Sequence, residues 1–289
     1  MREAFLLGRV AIVTGAGRGL GRAMALGLAR AGATVIGPAH IASDFDDLEP
    51  ASALPGRLLP MHADLRRAAD CDRVVENAQA AGGVHVLVNN AGLTLTYICP
   101  DLYRRPAPPK FWEASDEIVE NVLNTNFLAA DKLARRVAPI MVAQGFGRII
   151  NVTTMLRTMN RVGFSPYGPS KAALEMASEV WAKELQGSGV TVNIVNPGAG
   201  ANTAGIAEEM RAASEEGRIE RLVEPEAMVA PLLWVVSPEG GESNGMRYDA
   251  KQWDLSLPPA EAARRCGRPA GFLLREPADP LVEGSFLSR

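Results

Sequence analysis

Short apolar runs alternate with longer amphipathic segments along most of the chain. The runs are apolar at most positions, which predicts strands that are buried on both faces. They occupy residues 10–13, 33–36, 58–61, 84–88, 148–152 and 190–195. The segments between them repeat apolar residues at helical spacing, as Leu20, Met24 and Leu28 do. This spacing predicts helices, which we place at residues 19–30, 68–80, 126–143 and 170–185.

Strands that alternate with helices predict βαβ units and a parallel sheet with helices on both faces. We therefore predict an α/β fold, a doubly wound parallel sheet in three layers, as a single domain over residues 1–250. Two proline-rich stretches interrupt the alternation. Residues 96–110 are predicted to form a long surface loop. Residues 251–289 are predicted to form a C-terminal extension, a tail or lid with at most one short helix near residues 260–265.

The composition narrows the classes of protein to consider. The chain has 289 residues, of which 47% are apolar and 22% charged, as is ordinary for a globular protein with a packed core. The net charge of -3 gives no reason to expect nucleic acid or an anionic membrane surface as a partner. We also expect neither a signal peptide nor a membrane-spanning helix. The three cysteines and three histidines are scattered, so we expect no metal site and a reduced, cytoplasmic protein.

A glycine-rich turn follows the first predicted strand, with the sequence TGAGRGLG at residues 14–21. Such a turn lets backbone N–H groups at the start of a helix approach a pyrophosphate, where side chains would block the ligand. The alternative is a purely structural turn. The position between a strand and a helix favours dinucleotide binding. The predicted contacts are Gly15, Arg18, Gly19, Leu20 and Gly21.

The end of the second predicted strand bears on the choice of cofactor. An acidic residue there would bind the ribose 2′-hydroxyl of NAD, but residues 36–40 read IGPAH and contain none. Arg18 would suit the 2′-phosphate of NADP, or it is an ordinary solvated arginine. The sequence therefore favours NADP over NAD by a small margin, with His40 as a further candidate contact.

A tyrosine and a lysine, Tyr167 and Lys171, stand four positions apart near the start of the last predicted helix. Side chains at this spacing share a helix face. A nearby ammonium would lower the tyrosine pKa from about 10 towards the range of acid–base catalysis. Thr154 follows the fifth strand and brings a hydroxyl to the carboxyl edge of the sheet, where ligands bind in such folds. Asn126 stands at the head of the preceding helix, where an N-cap role is the alternative.

This set resembles the Asn, Ser, Tyr and Lys of the short-chain dehydrogenase/reductase family, with Thr154 in place of the serine that lies thirteen residues before the tyrosine. The resemblance covers about residues 8–249 and implies a Rossmann-type fold. Further motifs of the family follow the third, fourth and sixth strands. The resemblance implies that they line the cofactor site, through Asp64, Leu65, Asn90, Ala91, Gly92, Pro197, Gly198 and Thr203.

The resemblance also implies an activity, which is NAD(P)-dependent hydride transfer to or from a ketone or secondary alcohol, as in carbonyl reductases and 3-oxoacyl reductases. Tyr167 would exchange a proton with the substrate oxygen, Thr154 would polarise that oxygen, and Lys171 would hold the nicotinamide ribose. Asn126 would anchor a water molecule that passes the proton on. A homo-oligomer, dimer or tetramer, is implied as well. Two alternatives stay open, namely an epimerase or dehydratase on the same scaffold and a non-catalytic NAD(P)-binding protein.

Overall fold

Eight strands form one sheet in the computed structural model, which describes residues 4–46 and 54–272. The strands are β1 (Val10–Val13), β2 (Thr34–Ala39), β3 (Arg57–His62), β4 (Val86–Asn89), β5 (Gly147–Asn151), β6 (Val190–Asn196), β7 (Met246–Asp249) and β8 (Arg268–Pro269). Their order is β3-β2-β1-β4-β5-β6-β7-β8, and β8 alone is antiparallel to its neighbour among these strands. The order reverses between β1 and β4, which creates the crevice where doubly wound folds bind ligands. The predicted Rossmann-type α/β fold is confirmed.

Helices cover both faces of this sheet. In chain order they are α1 (Gly19–Arg30), α2 (Ala68–Ala80), α3 (Leu95–Ile98), α4 (Asp116–Leu123), α5 (Ala129–Gln144), α6 (Leu156–Met159), α7 (Tyr167–Glu184), α8 (Glu208–Glu215), α9 (Val229–Val236) and α10 (Pro259–Cys266). Helices α1, α9 and α10 pack on one face, and α2, α5 and α7 pack on the other, as the three-layer prediction requires. No helix within the described ranges is long and apolar enough to cross a membrane.

The apolar runs form strands because each face of the sheet is buried under helices. On β1, Val10 and Ile12 belong to the apolar cluster that includes α2 and α5. Ala11 and Val13 belong to the cluster that includes α1 and α9. Successive side chains of a strand point to opposite faces, so a strand with a cluster on each side is apolar throughout. This geometry is what the predicted runs reflect.

The C-terminal region is more closely joined to the sheet than its composition indicates. The short helix predicted near residues 260–265 is confirmed as α10, but residues 251–272 are not an extended tail. Trp253, Ala262 and Cys266 are buried in the same apolar cluster as α9, and β8 pairs with β7. Residues 273–289 lie outside the described residues, and the division of the chain at residue 250 stays a prediction.

The stretch at residues 96–110 crosses the carboxyl edge of the sheet as an irregular loop that begins within α3. Arg104 forms an ion pair with Glu209 of α8 at 3.1 Å. The Thr96 hydroxyl donates a hydrogen bond to the carbonyl oxygen of Gly205 at 2.9 Å. The loop therefore contacts both α8 and the segment before it.

Candidate active site

The glycine-rich turn joins β1 to α1 at the carboxyl edge of the sheet. Gly15 and Gly19 have φ angles of 68° and 53°, a left-handed conformation that glycine adopts without strain. A Cβ atom at Gly21 would clash with the carbonyl oxygen of Gly15. The turn thus depends on glycine at these positions, and it keeps side chains away from the start of α1, as pyrophosphate binding requires. Leu20 packs against the core beneath the turn.

The end of β4 is fastened to this turn by Asn90 and Ala91. The Thr14 hydroxyl oxygen accepts hydrogen bonds from the backbone N–H groups of Asn90 at 2.8 Å and Ala91 at 2.9 Å. The Asn90 side chain donates to the Thr14 carbonyl oxygen at 2.8 Å. These bonds hold the two strand ends together at the point where the strand order reverses. Asn90 and Ala91 therefore lie beside the glycine-rich turn, and their predicted cofactor contacts stay predictions.

Arg18 has an acidic neighbour that sequence reasoning missed. Asp44 lies in the 3₁₀ turn Ala42–Phe45 after β2, and its carboxylate is 3.5 Å from the Arg18 guanidinium. The turn packs so closely on Gly17 that a Cβ atom there would stand 2.5 Å from the Asp44 Cβ. Residues 36–40 contain no acid, as the sequence shows, but the chain after β2 folds back over the glycine-rich turn and brings Asp44 to Arg18. The Arg18 side chain stays 55% exposed, which leaves its guanidinium open to a phosphate.

Asp64 and Leu65 follow β3, and His40 follows β2. Arg66 donates to both Asp64 carboxylate oxygens, from Nε at 2.9 Å and from Nη2 at 2.8 Å. These bonds lower the pKa of Asp64 to about 2, so its carboxylate is ionised at neutral pH. Leu65 is buried, and the exposed His40 ring stacks against that of His62. The cofactor contacts of these three residues stay predictions.

Two motifs from the second half of the chain reach the same edge. The Thr203 Cγ2 atom lies 3.1 Å from the position that a Cβ atom of Gly19 would take. Thr203 therefore stands against the glycine-rich turn, and its contact with the carboxamide or a phosphate of the cofactor stays a prediction. Gly198, after Pro197 at the end of β6, has a φ of 76°, and its backbone N–H donates to Asn196 Oδ1 at 2.8 Å.

Tyr167 begins α7, and its phenol lies close enough to the Thr154 hydroxyl after β5 for that hydroxyl to influence its pKa. Burial raises the pKa of Tyr167, the Thr154 hydroxyl lowers it, and the nearby phenol of Tyr103 raises it further. The net direction is upward, which is opposite to the expectation from sequence. In this structure the phenol is held in its neutral form.

Lys171 lies one turn further along α7 and is only 4% exposed. Its Nζ donates a hydrogen bond to the carbonyl oxygen of Val152 at 2.9 Å. Burial lowers the pKa of Lys171 to about 8. The ammonium is thus bound to the backbone at the end of β5, and it does not offset the effect of burial on Tyr167.

Asn126 lies in a π-helical turn, Asn124–Leu128, that joins α4 and α5 into one continuous helix. Its Oδ1 accepts from the Leu93 N–H at 2.7 Å, while its Nδ2 donates to the Leu93 carbonyl at 3.1 Å and to the Ser170 hydroxyl at 3.0 Å. The predicted place at the head of a helix is wrong, and so is the N-cap alternative, because α4 precedes it. Single π turns inside α-helices are frequent at functional sites.

Gly92 shows how closely Asn126 and Lys171 approach each other. A Cβ atom at Gly92 would lie 3.2 Å from Asn126 Oδ1 and 3.4 Å from Lys171 Nζ. The predicted catalytic and cofactor residues thus meet at one edge of the sheet, and glycines keep that edge open where a dinucleotide would lie. A cavity of about 770 Å³ opens elsewhere, beside Phe146 and Arg148, and none of the predicted site residues lines it.

Comparison with known proteins decides the family. A model of the short chain dehydrogenase family matches residues 9–214, which is well over half of the chain. The chain belongs to the short-chain dehydrogenase family. Members of this family bind NAD or NADP, which agrees with the glycine-rich turn described above. The chain is therefore an NAD(P)-dependent oxidoreductase that acts on alcohols and ketones.

Relatives of this short-chain dehydrogenase cover most of its length. A short-chain type dehydrogenase/reductase of Picea abies is 34% identical over 81% of this chain and 88% of its own. An NADPH-dependent aldehyde reductase-like protein, chloroplastic, of Arabidopsis thaliana is 31% identical over 82% of this chain and 90% of its own. A crystal structure of a dehydrogenase/reductase from Sinorhizobium meliloti 1021 superimposes with a TM-score of 0.69 at 28% identity, over 83% of this chain and 92% of the other.

Proposed function

We propose that this short-chain dehydrogenase reduces the carbonyl group of a small ketone, with Tyr167 as the proton donor. The observation that carries the proposal is the proximity of the Tyr167 phenol to the Thr154 hydroxyl, one helical turn from a buried lysine. The two hydroxyl groups can bind the same carbonyl oxygen. The reduced nicotinamide supplies the hydride to the carbonyl carbon when it is bound.

The protonation of the site favours reduction over oxidation. The raised pKa of Tyr167 keeps the proton on the phenol at neutral pH, where it is available to a developing alkoxide. Thr154 donates a second hydrogen bond and stabilises the same developing charge. Lys171, with a pKa lowered to about 8, and Asn126, which is fixed by three hydrogen bonds, are the residues proposed to return a proton to Tyr167.

The test compares Tyr167→Phe with Tyr97→Phe on a panel of ketones and secondary alcohols, followed by the absorbance of the reduced nicotinamide. Tyr97 is a matched control, since its exposed phenol only accepts a hydrogen bond from Asn121 at 3.0 Å. We expect Tyr167→Phe to lower kcat by about a hundredfold or more, the scale of acid–base catalysis. Turnover of that variant within a factor of about two of the wild type would refute the role of Tyr167.

NADPH is the proposed reductant, and the exposed Arg18 guanidinium is the proposed contact of its 2′-phosphate. The named NADPH dependence of the Arabidopsis thaliana relative supports this choice. Asp44, 3.5 Å from Arg18, opposes it by repelling that phosphate. We expect tighter binding of NADPH than of NADH, loss of this preference in Arg18→Ala, and a stronger preference in Asp44→Asn. A wild-type protein that binds NADH more tightly would refute the assignment.

A cytoplasmic homo-oligomer is the proposed setting of this reaction. Exposed apolar side chains on the π turn, α5 and α7, namely Leu128, Val142 and Val180, support contacts between subunits through these helices. The free, buried cysteines Cys71, Cys99 and Cys266 fit a reducing compartment. Light scattering of the full chain and of a chain ending at residue 272 tests the oligomer and the part played by its last residues.

A further inference from the structure

A cluster of charged side chains is buried behind the active site, and the proposed chemistry does not use it. Arg247 on β7 and Glu175 on α7 are both 0% exposed, and Asp249 on β7 is 4% exposed. Arg247 pairs with both carboxylates, because its Nη1 atom is 2.5 Å from Glu175 Oε2 and its Nε atom is 3.4 Å from Asp249 Oδ1. Arg268 on β8 forms a further ion pair with Asp249.

One arm of this cluster reaches the substrate side of the site. Arg247 Nη2 donates to the carbonyl oxygen of Thr154 at 2.5 Å, and Nη1 donates to the Thr153 hydroxyl at 3.1 Å. The Thr153 hydroxyl itself donates to Glu175 at 2.8 Å. The backbone that carries the Thr154 hydroxyl is therefore held from behind by a guanidinium. Glu175 lies on the same helix as Tyr167 and Lys171, so the contact also ties that backbone to α7.

The other arm reaches the loop after β6. The Asn196 side chain donates to Asp249 Oδ1, and Asn196 Oδ1 accepts from the backbone N–H of Gly198. Gly198 turns with a φ of 76°, and a Cβ atom there would lie 2.9 Å from the Asp249 Cβ. The loop that was predicted to line the cofactor site is thus fixed by the same cluster that fixes Thr154.

Packing alone does not explain a buried cluster of this kind. A buried ion pair can often be replaced by apolar residues of similar volume without loss of stability. A guanidinium offers something that apolar residues lack, which is several donors in a rigid planar arrangement. Here those donors bind the backbone after β5, Glu175 on α7, and Asp249, which in turn binds Asn196 of β6. The ends of β5, α7 and β6 must keep fixed distances for the reaction. Charge pairing of this type is well suited to setting position.

We propose that Arg247, Glu175 and Asp249 act as positioning residues, which hold Thr154 and the Gly198 loop at fixed distances from Tyr167. The proposal rests on the function proposed above, in which Thr154 and Tyr167 bind one carbonyl oxygen. Arg268 belongs to the same unit through Asp249, so the strand β8 supports the active site. Small displacements of reacting groups are costly in rate even when binding is kept.

The principal test is the double variant Arg247→Met/Glu175→Leu, which removes both charges together and leaves neither one unpaired against the other. The control is Arg265→Met/Glu261→Leu, an exposed ion pair on α10. We expect the first variant to lower kcat by about tenfold to a hundredfold, with the KM for the best ketone and the affinity for NADPH changed much less. The control is expected to match the wild type. Unchanged kcat in a folded Arg247→Met/Glu175→Leu variant would overturn the proposal.

Hydrogen exchange supplies a readout that needs no turnover, so it tests the positioning role even if the assignment of Tyr167 fails. We expect faster amide exchange in peptides covering residues 152–159 and 196–200 of the double variant, with no change in peptides from α2. If the double variant does not fold, Arg268→Met replaces it, because the Arg268 side chain is 41% exposed. That variant should accelerate exchange at residues 196–200 but not at residues 152–159. Unchanged exchange at residues 196–200 would refute the link through Asp249.

Discussion

The buried ammonium of Lys171 makes a prediction about stability that is independent of the substrate. Its side chain is 4% exposed, and burial lowers the pKa from 10.5 to about 8. In the unfolded chain the amine keeps its ordinary pKa. Between these two values the unfolded form binds a proton that the folded form has released, so the free energy of unfolding rises with pH across this window.

The magnitude follows from the size of the shift. The difference between 10.5 and about 8 is worth about 3 kcal/mol, at 1.36 kcal/mol for each pKa unit. The wild type should therefore gain about 3 kcal/mol relative to Lys171→Met when the pH rises from 7 to above 10.5. Any difference in strength between the hydrogen bonds that the ammonium and the neutral amine donate to Val152 is contained in the folded-state pKa, so the comparison needs no separate correction for it.

Urea unfolding of the wild type and of Lys171→Met, without cofactor, at a series of pH values measures this difference. Lys183→Met serves as a control on the same helix, since the Lys183 side chain is 71% exposed and pairs with Glu179. The free energy of unfolding of Lys183→Met should change with pH as that of the wild type does, from pH 7 to above pH 8. If the stability of the wild type relative to Lys171→Met stays constant across the whole range, or falls above pH 8, the argument that burial depresses this pKa is refuted.

Two further variants test the glycine-rich turn and the π turn. Gly21→Ala places a Cβ atom against the Gly15 carbonyl, so we expect a loss of about 1–3 kcal/mol in stability. We also expect fluorescence titration to show an affinity for NADPH that is about tenfold weaker. Unchanged affinity would contradict the assignment of the glycine-rich turn to cofactor binding. Asn126→Ala leaves the Leu93 backbone N–H and carbonyl without partners and should cost about 1–3 kcal/mol in thermal unfolding, together with a fall in kcat. An Asn126→Ala protein with normal stability and turnover would show that the Asn126 side chain in the π turn contributes neither to stability nor to catalysis.

The parts of the fold that sequence predicts well are those in which local pattern and tertiary burial agree. Helix α2 and strand β1 have the predicted bounds. The reason is that α2 is apolar on the face that packs against the sheet, and β1 is apolar on both of its faces. Strand β7 was not predicted, since its sequence is Met-Arg-Tyr-Asp. Its polar residues are buried through partners that lie far away in the chain, and a pattern of apolar positions carries no information about such pairing.

The same distinction applies to the site. The spacing of Thr154, Tyr167 and Lys171 could be predicted because it depends on a strand end and one helix turn. The approach of Asp44 to Arg18 could not, since it depends on how the chain after β2 folds back over another loop. The direction of the Tyr167 pKa was wrong for a related reason, because sequence shows which charges are near in the chain but not how deeply a phenol is buried.

The carboxyl edge of the sheet carries groups that oppose folding, and this has a consequence for engineering. Asn126, Lys171, Glu175 and Arg247 are each at most 4% exposed, although each is charged or carries an amide. Burial of such groups adds to stability only when their partners are well placed. The apolar clusters on the two faces offset the cost, since truncating Leu28 or Leu133 to alanine removes about 2–5 kcal/mol at each site. Substitutions that stabilise the carboxyl edge of the sheet are therefore expected to lower activity. Substitutions that weaken the apolar core are expected to lower both stability and activity.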